Sequence, residues 1–136
     1  MRQYNESNQR TPDIDWFFTC KGKFFHVASN GGKIPAIVKV NENQKLQHYF
    51  ALQEPNNRGM LVVANEENYD LSSFMEYSRR GFISIDRDEG DYDTQKYHVV
   101  ARPIEEDKGP SLDKETRAII HKFGYEQEHF VIEGLL

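Results

Sequence analysis

One cysteine and one tryptophan in 136 residues leave little material for several kinds of protein. Cys20 has no second thiol to pair with, so an internal disulfide framework is excluded, and a reducing compartment fits. Met1 to Arg10 holds no apolar run and resembles neither a secretory leader nor a membrane span, so a cytoplasmic location without a membrane partner is expected. Basic excess is also lacking. Net charge is −5; residues 1–50 carry seven Lys/Arg against four Asp/Glu, and residues 51–136 carry ten against eighteen. Without a cationic surface to neutralise phosphates, nonspecific nucleic-acid binding is not expected.

Reaction motifs are missing too. His48, His98, His121 and His129 show no HxxxH spacing and there is no CxxC, so no zinc site is indicated. No HExxH, G-x-S-x-G or G-x-G-x-x-G occurs, and no paired carboxylates stand out. Hence no catalytic residue, cofactor or metal is assigned.

What the chain does have is an aromatic stretch. Asp15 to Ala28 carries Trp16, Phe17, Phe18, Phe24 and Phe25 around Lys21-Gly22, which reads as a two-stranded hairpin. A two-residue turn sets Phe18 opposite Phe25, Phe17 opposite His26 and Trp16 opposite Val27. Side chains alternate, so Trp16, Phe18, Cys20, Phe25 and Val27 share one face, and Phe17, Thr19, Phe24, His26 and Ala28 the other. Both faces are largely apolar and need cover, by helices on one side and a long loop or a partner on the other.

Further along, Met60 to Ala64 reads as a strand buried on both faces, placed with the hairpin near the middle of the sheet. Phe82 to Asp86 and Gln95 to Ala101 form a second hairpin, and Phe130 to Ile132 a last strand. Three helices are indicated: about Glu42 to Glu54, with Asn41 and Gln44 at capping-box spacing; one from Ser73, with Glu76 at the same spacing and Gly81 as its stop; and one after Ser111, with Leu112, Thr116, Ile119, Ile120 and Phe123 on a stripe. Ala36 to Val40 is too short to assign. The expectation is one α+β domain over residues 13–136, with a mixed or antiparallel sheet, behind a polar tail at 1–12.

Several clusters invite a functional reading beside a plainer one. Cys20 and His26 fall on opposite hairpin faces, which leaves no nucleophile–base dyad. His26 is either a satisfied core ring or a pocket residue. Asn30-Gly31-Gly32-Lys33 offers backbone N–H groups and a cation to an anion, but it is not a Walker A loop, because Val27 stands where the first glycine belongs and Ile34 replaces Ser/Thr. The plainer reading is a turn. Asp86 to Asp93 is rich in carboxylates yet fails the calcium-loop pattern, since Asp91 takes the glycine position and Tyr97 the bidentate glutamate, so an exposed hairpin tip is the plainer reading. Arg79 and Arg80 suit either an anion or the end of a helix. Function is therefore expected to be that of a non-enzymatic interaction or regulatory module, contacting another protein or itself through aromatic surface the core cannot hide. The alternative is a ligand-binding protein or enzyme with a pocket at the end of the first hairpin, using His26, Asn30, Gly31, Gly32, Lys33 and Arg79.

Overall fold

The structure, a computed structural model, describes residues 14–29, 34–35, 38–61, 71–87, 96–106, 108–124 and 131–133. Two strands open it: β1, Asp15–Cys20, and β2, Lys23–Ala28. They pair antiparallel with Trp16 opposite Val27, Phe17 opposite His26 and Phe18 opposite Phe25, the register a two-residue turn imposes. Lys21 and Gly22 both take positive φ, 52° and 80°. That is the type I′ geometry whose twist matches the strands it joins.

Four more strands complete the sheet: β3, Gly59–Leu61; β4, Ile83–Arg87; β5, Lys96–Pro103; and β6, Val131–Glu133. The order is β1-β2-β4-β5-β3, with β6 also on β5. β2 runs parallel to β4 and β5 parallel to β6, while the other pairs are antiparallel, so the sheet is mixed. β4 holds the centre. The expected central positions for the hairpin and the Met60 run are thus corrected: β1 forms one edge and β3 the other. Within that run, 62–64 lie outside the described residues.

An edge strand as apolar as β1 is an aggregation hazard unless something covers it. Here the cover is α1, Val40–Ala51. The outward carbonyl of Asp15 accepts from Asn43 Nδ2 at 2.8 Å and Gln47 Nε2 at 2.9 Å. Phe50, one turn on, packs against Phe17 at 5.2 Å between ring centroids. Two other helices lie among the described residues: α2, Ser72–Ser78, and α3, Lys114–Lys122. Trp16, Phe17 and Phe18 are buried, together with Leu46, Phe50, Phe82, Ile83, Ile85, Tyr97, Ile120 and Phe123 in one core cluster. Both hairpin faces are therefore covered from within the chain. Among the described residues no Phe, Tyr or Trp side chain is exposed; Tyr4, Tyr69, Tyr92, Tyr125 and Phe130 lie outside them.

Along α3 the expected stripe is buried at Thr116, Ile119, Ile120 and Phe123, but the caps differ. α1 starts at Val40 behind Lys39, and α2 at Ser72 behind Leu71, neither with a side-chain cap. Asn41 lies inside its helix, and the Glu76 carboxylate is engaged by Arg79 and Arg80 instead of the helix start. Asp113, rather than Ser111, caps α3 by accepting from the Thr116 amide at 2.7 Å. Gly81 closes α2 as expected, with φ 99° and its N–H donating to the Ser78 carbonyl.

Candidate functional site

Parallel pairing of β2 and β4 brings His26 beside Ser84. Their side chains share a face, and the antiparallel partner β1 supplies Asp15 from its first position. The outcome is a polar chain: Asp15 Oδ1 lies 2.8 Å from His26 Nε2, and His26 Nδ1 lies 3.0 Å from Ser84 Oγ. Ser84 in turn donates to the Phe74 carbonyl at 2.9 Å. With the Ser84 hydroxyl proton committed to the Phe74 carbonyl, Ser84 Oγ is left to accept from His26 Nδ1. Tyr77 stacks on the imidazole at 4.1 Å, with Phe17 and Phe74 beside it. Burial pushes the Tyr77 phenol up to about 12; the Asp15 carboxylate adds to the rise and Arg80 opposes it. The phenol therefore stays neutral at physiological pH.

Serine, histidine and aspartate in a hydrogen-bonded row invite comparison with a hydrolytic triad. The geometry does not serve one. A nucleophilic serine gives its proton to the histidine and presents its oxygen to a substrate carbonyl. Ser84 gives its proton to a helix carbonyl instead, and both Ser84 and His26 have 0% exposure. Only the Asp15 end reaches solvent, its side chain 35% exposed. The chain acts as a clasp that joins β1, β2, β4 and α2 while satisfying every polar atom it buries.

Of the residues expected at a hairpin-end pocket, His26 sits in this clasp. Arg79 sits on the surface, where Nη1 bonds Glu76 Oε1 at 3.0 Å and its carbonyl accepts from the Asn56 and Asn57 amides at 2.8 Å each. No described contact joins the two. Asn30, Gly31, Gly32 and Lys33 lie outside the described residues, as do 88–95 of the acidic loop. Among the described residues, no three His, Cys, Asp or Glu side chains gather closely enough to hold a metal ion, and no helix is long and apolar enough to cross a membrane. Cys20 is half-buried against the core.

A second region is open. Pro55, Asn56, Asn57 and Arg58, following α1, and Ile104 and Glu105, following β5, line a cleft of about 390 Å³. Its floor is tied down from several directions. Asn57 pairs with the backbone of Glu105 twice, donating Nδ2 to the carbonyl at 2.9 Å and accepting at Oδ1 from the amide at 3.1 Å. The Ile104 amide donates to the Arg58 carbonyl at 2.7 Å, Lys108 Nζ to the Asn56 carbonyl at 2.8 Å, and Arg80 Nε to the Gln53 carbonyl at 3.0 Å. Among the described residues the large exposed apolar side chains are Leu52, Met60 and Ile104. Ile104 lines the cleft, and the others lie within three positions of a lining residue.

Pro55 to Gly59 carries the residue types of a helix stop and nothing more, and no local signal ties Asn57 to Glu105, 48 residues away. Asp15 and Ser84 were missed as well. The parallel alignment of β2 with β4 would have exposed Ser84, because it sets that hydroxyl, between Ile83 and Ile85, directly beside His26. Compared with protein-family models, curated proteins and solved structures, the chain matches none.

Proposed function

We propose that the chain is a non-enzymatic protein-interaction module whose contact face is the cleft at Pro55 to Arg58 and Ile104 to Glu105, rimmed by Leu52, Met60 and Ile104. The observation that carries this reading is that Ile104, one of the three large aliphatic side chains left exposed among the described residues, lines a rigidly held cleft, while Leu52 and Met60 lie within three positions of other lining residues. Scattered surface leucines need no explanation, whereas apolar residues collected on loops that are hydrogen-bonded in place fit a pre-formed contact face. A photo-crosslinking amino acid placed at Leu52, Met60 or Ile104 in the expressing cell is expected to give a discrete adduct. The same residue at Glu115, whose exposed side chain pairs only with Lys45 in α1, is expected to give none. An adduct with the mass of two chains makes the partner a second copy. Equal labelling from Glu115, or none from the rim, would remove the proposal.

A second reading, a ligand-binding protein or enzyme at the end of the first hairpin, draws on the Asp15–His26–Ser84 chain and its solvent-reaching carboxylate. A thermal-shift screen with nucleotides, sugar phosphates and divalent metals discriminates, since a ligand that binds only the folded state raises the melting temperature. A hit abolished by Asp15→Asn would favour this reading over the first.

A further inference from the structure

Arg58 differs from the arginines around it. Arg79 and Arg80 are paired with Glu76, and Arg102 with Glu106. Arg58 is exposed and has no ion pair among the described residues. The one carboxylate lining the same cleft, Glu105, lies 3.7 Å from the ammonium of Lys108. The cleft's own anion is thus paired, and the Arg58 guanidinium is left without an ion pair in a lining that also holds the exposed aliphatic side chain of Ile104.

From this pairing of features we infer that the partner segment received by the cleft is an acidic peptide, in which an aspartate or glutamate meets the Arg58 guanidinium and a neighbouring aliphatic side chain rests on Ile104. The inference depends on the contact face proposed above and names the chemistry of what fills it. A guanidinium presents a planar fork that matches both oxygens of a carboxylate, which a lysine does not offer. The loops that carry it are held by the Asn57–Glu105 pair and the Arg58–Ile104 backbone bond, so little ordering is required on binding. Nucleic acid fits less well, because tracking a phosphate backbone takes several cations in a row and this cleft carries one. A free inorganic anion would leave the aliphatic rim unused.

The test is an amide-shift titration of the full isotope-labelled chain. The probes are an N-acetylated, C-amidated hexapeptide of alternating leucine and aspartate, its leucine–asparagine counterpart, and sodium phosphate. The aspartate peptide is expected to move the amides of Asn57, Arg58 and Glu105 and to bind at least tenfold more tightly than the asparagine peptide. Arg58→Gln, which removes no side-chain hydrogen bond or ion pair among the described residues, is expected to erase that difference. Equal binding of the two peptides, a preference that survives Arg58→Gln, equal shifts with phosphate, or no shift at these amides would each overturn the inference. If rim crosslinking persists while the aspartate preference is absent, the acidic partner falls and the contact face stands. If both are absent, both fall.

Discussion

Phe17 and His26 face each other across the first hairpin and show what a buried position costs to change. Phe17 touches Phe50, Tyr77 and Phe82 at centroid distances of 5.2, 5.3 and 5.4 Å. Truncation removes contacts on several sides that no neighbour can move to fill, so Phe17→Ala is expected to cost about 3–5 kcal/mol in urea unfolding. Leu52→Ala, on the exposed rim, should fall within about 0.5 kcal/mol of the parent. His26→Phe keeps the ring but leaves Asp15 and Ser84 facing an apolar edge. The expected loss is about 1–3 kcal/mol, from stranding polar groups whose partner has gone. Because the clasp is structural here, the same variant should leave rim crosslinking unchanged in whatever fraction remains folded.

At the level of elements, the hairpin could be read correctly from its residues because turn chemistry and alternation agree. A glycine in a two-residue turn sets the register, and the register decides which aromatic faces which. Lys21 is the poorer half of that turn, since a lysine at φ 52° has a Cβ crowded by the backbone. Lys21→Asn is expected to raise stability by about 0.5–1 kcal/mol, measurable as a higher urea midpoint at unchanged slope. Gly81→Ala should do the reverse and sharply, as an added Cβ would lie 2.4 Å from the Gly109 carbonyl carbon. Helix starts were misread for a physical reason. The S-x-x-E spacing at Ser73 and Glu76 signals a capping box only while the glutamate is free, and two arginines five residues or fewer away already hold it. Strand order was illegible, because pairing β2 with β4 is a choice among apolar partners that alternation alone does not rank. The cleft was illegible for a related reason, its walls being joined by one asparagine and two backbone segments distant in the chain.

Across the whole molecule, the sheet's outer strand is guarded by α1, and its far end is fastened by an ion cluster. Glu106 accepts from Arg102 of β5 and from Lys23 Nζ of β2 at 2.9 Å, linking two strands that are not neighbours. The Arg102 hydrogen bond, supported by Lys23 and opposed by burial, holds the Glu106 carboxyl below its ordinary 4.5. A depressed folded-state value means the unfolded chain takes up the proton first. The contribution is complete above the ordinary value and fades as pH falls through it toward the lower folded-state value. The stability difference between the parent and Glu106→Gln should therefore be flat near neutrality and shrink below about pH 4.5 in chemical unfolding at stepped pH.

An interior polar clasp stands apart from the proposed exterior contact face, and the clasp carries the sharper risk, because its residue types are those of a hydrolase. Treatment of the folded chain with a fluorophosphonate probe, followed by mapping of the modified peptide, addresses that directly. Ser84, with no exposed surface and its proton held by the Phe74 carbonyl, should remain unlabelled. Stoichiometric, His26-dependent modification of Ser84 would contradict it.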